Sequence, residues 1–401
     1  MAAPFVVSRL SKSANAQGGG EGTADTLVHV FLRGGMDALT TVVPYADTIL
    51  YSWRPKLGVR PPGTGSNAAL DLDGFFGVAP ACAPLLTPYL DGKLAFVHAV
   101  GSPDHSRSHF DTMASMEFGI PLQGLGSVND GWIGRHLQNV PPAGSAAVLR
   151  GFAVDYLVPA SMLGGPMIVS TPDPPNFDFP GEPGTAGVRR RRVRRMYVQA
   201  REPLSSAGVN AIEAIDLINT VDFAGYVPEN GASYPNSYFG IYLKYVAAMI
   251  KANLGIEVYS VDLHGWDTHA QQGPVDGGYM HLLLSDLSRS LEAFYKDLQA
   301  CMDRIVVVAE SEFGRRVEEN VSEGTDHGFA GAMIVMGGHI QGGQVLTDWP
   351  GLAAGKLNDG DLDLTFDYRD ILAEILQNRM GQTRLDLVFP NYTPQFRGIT
   401  G

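Results

Sequence analysis

The chain has 401 residues, 45% hydrophobic and 18% charged, the balance of a folded protein with room for one large α/β domain or two ordinary ones. A formal net charge of −13 argues against nucleic acid as the main partner. Two cysteines, Cys82 and Cys301, rule out a disulfide scaffold or a Cys-based zinc site, and no apolar run reaches the roughly 18 residues of a transmembrane helix.

Residues 1–24 read as the remnant of an export signal followed by a flexible linker. Phe5-Val6-Val7 ends a short apolar region, Ala14-Asn15-Ala16 has the small-x-small pattern of a signal-peptidase site, and Gly18-Gly19-Gly20 follows. The expectation is an exported protein, periplasmic or extracellular; a Ser/Ala/Gly-rich disordered tail is the alternative. Leu27 to Leu32 is the first predicted strand and runs into Arg33-Gly34-Gly35-Met36-Asp37. Glycines there let backbone approach a ligand closely, and Asp37 is either a metal ligand or a helix N-cap.

A short helical stretch around Ala81 to Leu90, interrupted by Pro84 and Pro88, precedes a second strand, Leu94 to Val100. That strand gives way to Ser106-Arg107-Ser108-His109 and a helix over Phe110 to Phe118. A helix start presents unpaired N–H groups to an anion, Arg107 could clamp two oxyanion oxygens, and Ser106 or Ser108 could attack. Ser is also an ordinary capping residue. A further helix opens under an Asn129 or Asp130 cap, and the Pro/Gly-rich stretch from Asp173 to Gly184 reads as a loop or the edge of an inserted cap region near 160–235. Arg189 to Arg195 is the solvated face of a helix or a site for an anionic surface. Helical patterns follow over Gly208 to Val221 and Ser237 to Leu254.

The strand Ile256 to Val261 delivers Asp262, His264, Asp267 and His269. Carboxylates and imidazoles past a strand end are a metal-site pattern, and the spacing of Asp267 and His269 lets both point one way in an extended segment. A long helix over Tyr279 to Met302 leads to Val306-Val307-Val308, a β-branched run that reads as a strand buried on both faces and central in a parallel sheet. Ligands of open α/β sheets bind beyond the carboxyl ends of the strands, where this one brings Glu310 and Glu312. A Gly-rich turn returns Asp326 and His327 to the same edge before the apolar run Ala332 to Met336, and a last helix covers Ile371 to Arg379. No P-loop, dinucleotide fingerprint or Gly-x-Ser-x-Gly elbow is present.

Taken together, Arg33-Gly34-Gly35-Met36-Asp37, Ser106 to Phe110, Gly131-Trp132-Ile133-Gly134-Arg135, Gly265-Trp266-Asp267-Thr268-His269, Ser311-Glu312-Phe313-Gly314-Arg315 and Asp326-His327-Gly328 resemble the bacterial domain-of-unknown-function 1501 family. That family is similar to the alkaline phosphatase and sulfatase superfamily, and its members often carry twin-arginine export signals. The resemblance implies one three-layer α/β/α sandwich with a mostly parallel sheet over residues 25–401. It matches Asp37 to the first-strand metal ligand, Ser106 to His109 to the nucleophile segment, Asp267 and His269 to a metal pair, and His327 to the last metal histidine.

Glu312 can replace an Asp ligand, but Phe313 stands where a histidine is expected. This lowers the expected histidine count and favours calcium, magnesium or manganese, with zinc still among the candidate divalent ions. No Cys-x-Pro-x-Arg occurs near Ser106, so a formylglycine nucleophile is excluded. The implied function is metal-dependent hydrolysis of phosphate or sulfate esters, small or polymeric. An unmodified Ser or a metal-activated water would attack, and His109 or His327 would bind metal or shuttle a proton. The alternative is a non-catalytic exported binding or envelope-assembly protein that keeps the fold.

Overall fold

The computed structural model describes residues 25–142, 148–182, 184–275 and 277–401. The export-signal reading of residues 1–24 lies outside them. Strand β1 (Thr26–Arg33) shows how the layers arise: Val28, Val30 and Leu32 enter one core, Leu27 and Phe31 the other. Side chains of a strand alternate between faces, so an apolar run without polar breaks demands cover on both sides.

Eight further strands complete the sheet: β2 (Leu94–Gly101), β3 (Gly151–Ala153), β4 (Ile168–Ser170), β5 (Val258–His264), β6 (Ile305–Glu310), β7 (Gly331–Gly337), β8 (Val345–Leu346) and β9 (Phe366–Asp367). Their order is β8-β2-β7-β6-β1-β5-β3-β4, with β9 also against β2. Every pairing is parallel except those of β7, which is antiparallel to both β2 and β6. The run Val306 to Val308 is therefore interior, as expected, but has one antiparallel neighbour. The loop from β6 to β7 returns the chain to the adjacent position without a crossover helix, which only an antiparallel partner allows.

Helices cover both faces. On one side α5 (Tyr238–Lys251) and α6 (Tyr279–Asp297) bring Leu243, Val246, Leu284 and Leu291 against Val28 and Val30. On the other, α2 (Trp132–Asn139) and α7 (Tyr368–Asn378) bring Trp132, Leu137, Ile371 and Ile375 against Leu27 and Phe31. Each such buried side chain stabilises the fold by roughly 1.5–3 kcal/mol. The three-layer α/β/α sandwich with a mostly parallel sheet is thus present.

Several boundaries move for local reasons. Helix α1 (His109–Phe118) starts at His109 because the Ser108 side chain accepts from the Asp111 N–H, so Ser108 is its N-cap. The cap of α2 is Gly131 with no side-chain bond, not Asn129 or Asp130. Helix α6 stops at Asp297, and a 3-10 stretch, Gln299–Arg304, leads into β6. The arginine run lies on α3 (Ala186–Val198), no residue of which is buried, and α3 lies beside α4 (Leu204–Ile218). Arg190 pairs with Asp178 and Asp216 and Arg194 with Glu213. Cys82 and Cys301 are free thiols. No helix among the described residues is long and apolar enough to cross a membrane.

Candidate metal centre

Three chain segments meet at the carboxyl edge of β1, β5 and β6. Gly34, at φ +123°, lies so close to the segment after β5 that a Cβ there would stand 2.6 Å from the Asp267 nitrogen. Only glycine lets the end of β1 pass against Trp266-Asp267 in this way. The Trp266 N–H donates to the Arg33 carbonyl, fixing the two loops in register.

Around the Asp267 carboxylate stand three imidazoles. Its Oδ1 lies 2.9 Å from His269 Nε2, 3.0 Å from His327 Nε2 and 3.4 Å from His109 Nε2. His269 Nε2 and His327 Nε2 are themselves 2.9 Å apart. The other nitrogen of each ring faces an acceptor: His109 Nδ1 meets Glu312 Oε1 at 2.6 Å, His269 Nδ1 meets Asp326 Oδ1 at 2.9 Å, and His327 Nδ1 meets the Arg107 carbonyl at 2.7 Å. Carboxylates and carbonyls supply no proton, so each Nδ1 carries one, which leaves each Nε2 as the nitrogen whose lone pair a cation would meet.

Lone pairs at these separations repel unless a cation or an added proton lies between them. His109 Nε2 is buried and receives no hydrogen bond. The donor atoms of His109, Asp267 and His327 all lie within 4.8 Å of one another. Bonds of about 2.0–2.2 Å to a single ion place ligand atoms roughly 3–4 Å apart, so the set fits a metal. Outer acceptors on the far nitrogen are the usual companions of metal-binding histidines.

Arg315 fixes the carboxylate. Its side chain is 0% exposed; it donates to the carbonyls of Gly34, Gly35, Trp266 and Thr325 and, at 2.7 Å, to Asp267 Oδ1. Burial pushes the Asp267 carboxyl up, but the hydrogen bond and the charge of the buried Arg315 outweigh it and hold the group at about 2. The Glu312 hydrogen bond raises His109 above the ordinary imidazole value, against the opposing effect of burial. Protons therefore compete with a metal for His109 to higher pH than for an ordinary histidine. Apparent zinc affinity should fall as pH drops from 8 to 5.5, by up to roughly tenfold per unit for each imidazole titrated. Competition against a chromophoric chelator measures this, and a flat profile would contradict the imidazole ligand set.

Four residues expected as ligands, and the arginine expected as a clamp, sit elsewhere. Asp37 is fully buried, and its Oδ2 accepts from Arg54 Nη1 at 2.6 Å, Gln272 Nε2 at 2.7 Å and Thr40 Oγ1 at 2.7 Å. It reaches the centre only through Gln272, whose Oε1 accepts from Thr268 and Thr325. Burial favours the neutral acid, yet the Arg54 charge keeps the Asp37 carboxyl below its ordinary range. Glu310 turns into the other core and pairs with His29 at 2.8 Å, because it continues the strand face of Val306 and Val308. Glu312 and Asp326 hold imidazoles rather than facing the Nε2 cluster. Arg107 turns its guanidinium away, to Asp361 at 2.6 Å and Asp359 at 3.2 Å, so it is no free oxyanion clamp.

Ser106 donates to Asp111 Oδ2 at 3.3 Å. Phe313, which stands where a histidine was expected, is a wall: its ring packs on His109 at 4.8 Å and His327 at 4.9 Å. Arg54 and Gln272 gave no signal in the sequence, since each is a lone polar residue in a loop without periodicity.

Residues 243–387 match the family described as "Protein of unknown function (DUF1501)". The match spans the Gly265 to His269, Ser311 to Arg315 and Asp326 to Gly328 blocks, so the resemblance drawn from these motifs is shown there. No curated protein sequence matches the chain. Among solved structures, the alkaline phosphatase from the Antarctic bacterium TAB5 is similar at 10% identity, covering 90% of this chain and 100% of that one, with a TM-score of 0.35. The lipoteichoic acid synthase LtaP from Listeria monocytogenes is similar at 8% identity over 94% and 75%, with a TM-score of 0.36. A protein in the alkaline phosphatase superfamily from Vibrio parahaemolyticus is similar at 11% identity over 81% and 63%, with a TM-score of 0.34. Identity at this level carries no residue correspondence.

Proposed function

We propose that the chain is a metal-dependent hydrolase of phosphate or sulfate esters, with one divalent cation held by His109, Asp267, His269 and His327. The observation that carries this reading is the convergence of three imidazole Nε2 atoms, each backed by an acceptor at Nδ1, on one carboxylate oxygen pinned by a buried arginine. Three imidazoles suit zinc, manganese or iron better than calcium or magnesium, which prefer oxygen. The sequence-based leaning towards the oxygen-preferring ions counted a histidine lost at Phe313; His109 supplies it from another segment.

A cation at this place would supply Lewis acidity, drawing charge from an ester oxygen and helping a hydroxyl lose its proton. The chain's own residues do the rest. Glu312, Asp326 and the Arg107 carbonyl hold the rings in one tautomer, and Arg315 keeps Asp267 ionised. The start of α1, at His109, directs the positive end of a ten-residue helix at an incoming anion. Ser108 is occupied as a cap, whereas the Ser106 hydroxyl already points its proton at the Asp111 carboxylate. We take Ser106 as the candidate nucleophile, with Asp111 to accept its proton.

Purified protein loaded with zinc or manganese should release nitrophenolate from 4-nitrophenyl phosphate or sulfate, lose that activity to a chelator, and regain it on adding metal. Protein shown by elemental analysis to hold its metal, yet inert on both esters between pH 6 and 9, would rule the hydrolase out.

A further inference from the structure

We propose that the cavity beside the metal centre is the subsite for the alcohol half of the ester, and that it takes a polyhydroxylated group of about one sugar ring. This rests on the hydrolase reading above and adds the substrate class to it.

The cavity, about 360 Å³, shares its wall with the centre. Gly328, in its lining, follows the proposed ligand His327, and Arg107, also in its lining, is the residue whose carbonyl accepts from His327 Nδ1. The cavity and the centre are thus joined through Arg107 and the His327-Gly328 link. The volume lies near the lower end of the roughly 300–1,000 Å³ of small-molecule sites, which suits a single ring rather than a chain of them.

Charge assigns the two halves of the ester to their places. The one guanidinium in the wall, Arg107, is shared between Asp361 and Asp359, so the cavity is acidic on balance. A phosphate or sulfate is repelled from it and goes to the cation, leaving the neutral alcohol for the cavity.

The acceptor set describes that alcohol. Asp361 is 2% exposed; its Oδ2 takes two bonds from Arg107, at 2.6 and 3.2 Å, while its buried Oδ1 receives none. Arg316 Nη1 lies 3.9 Å from Oδ1, beyond hydrogen-bond reach. A buried carboxylate oxygen without a donor is costly, and a ligand hydroxyl would satisfy it. Asp359, strongly exposed, is a second acceptor at the rim. His105 lies stacked on Phe329, ring centroids 4.4 Å apart and planes at 23°, and is itself exposed, so its outer face is a flat platform. Acceptors beside a flat ring fit a saturated ring with hydroxyls on its edge. A bulky apolar alcohol finds no apolar side chain in the lining beyond Phe329.

The test is equilibrium binding to zinc-loaded protein by calorimetry. It compares methylphosphonate with the phosphonate analogue of glucose 6-phosphate, in which a methylene replaces the ester oxygen so that nothing is hydrolysed. The sugar phosphonate should bind at least about tenfold more tightly, the worth of one new bond to a charged acceptor. Asp361→Asn and, separately, His105→Ala, an exposed position that leaves the fold alone, should bring the ratio towards one with methylphosphonate affinity and zinc content unchanged. Equal binding of the two probes, or a ratio that survives both substitutions, would overturn the subsite while leaving the anion site standing. Failure of both probes to bind zinc-loaded protein would remove the hydrolase reading and the subsite together.

Discussion

Alanine in place of His269 is expected to weaken zinc binding by roughly 100- to 1,000-fold while the protein stays folded. Zinc binding worth about 10–16 kcal/mol, shared by four ligands, gives each about 2.5–4 kcal/mol, and every 1.4 kcal/mol is tenfold. His269 is the cleanest of the three imidazoles to remove, because its side chain is half exposed and sits in a loop outside the two cores. Asp326→Ala, which takes away the acceptor behind that ring and a bond from Asn320 but no ligand, should cost less, about 10- to 100-fold. The order of the two effects matters more than either size: a ligand must outrank the group that orients it. Chelator competition with each purified variant reads both. Wild-type affinity in His269→Ala would remove that residue from the centre.

The edge of the sheet was legible because parallel strands end together. Apolar runs at Leu27 to Leu32, Ile256 to Val261 and Val306 to Val308 are unmistakable, and whatever follows them shares one rim. That is why strand ends and a returning turn point to Asp267, His269 and His327 on one rim, and the three touch in the structure. Glu310 and Glu312 misled for the opposite reason. Both were assigned to the rim at the strand's carboxyl end, but the strand itself includes Glu310 and ends there. Glu310 keeps the strand's inward face and meets His29, while Glu312 has turned out to His109. Tertiary pairing decided Asp37. No cap bond forms, and Arg54, from a loop rich in breakers, reaches the same buried space and pairs with Asp37 Oδ2. Such a partner leaves no periodic trace.

The Asp37–Arg54 pair carries the second large expectation, on stability rather than metal. Both side chains are essentially inaccessible, and Arg54 also donates to the Val317 and Arg316 carbonyls. Removing one member leaves the other charge buried and alone, which costs about 3–5 kcal/mol. Typical folding stabilities are only about 5–15 kcal/mol, so Asp37→Ala and Arg54→Met should each shift the urea midpoint strongly downwards. The double variant Asp37→Asn with Arg54→Met should fall short of the sum of the single losses by about 2 kcal/mol or more, since no bare charge remains. It does not return to wild type, because the two carbonyls lose their donor. The folded fraction of Asp37→Ala should still hold one zinc per chain. Its affinity should drop no more than about tenfold, the effect of a slackened Gln272 link to the Thr268 and Thr325 loops. If Asp37→Ala instead keeps its urea midpoint and loses the metal, Asp37 is a ligand and the four-residue centre is incomplete. Stability and metal content thus answer in opposite directions, which separates a buried brace from a coordinating carboxylate in one pair of measurements.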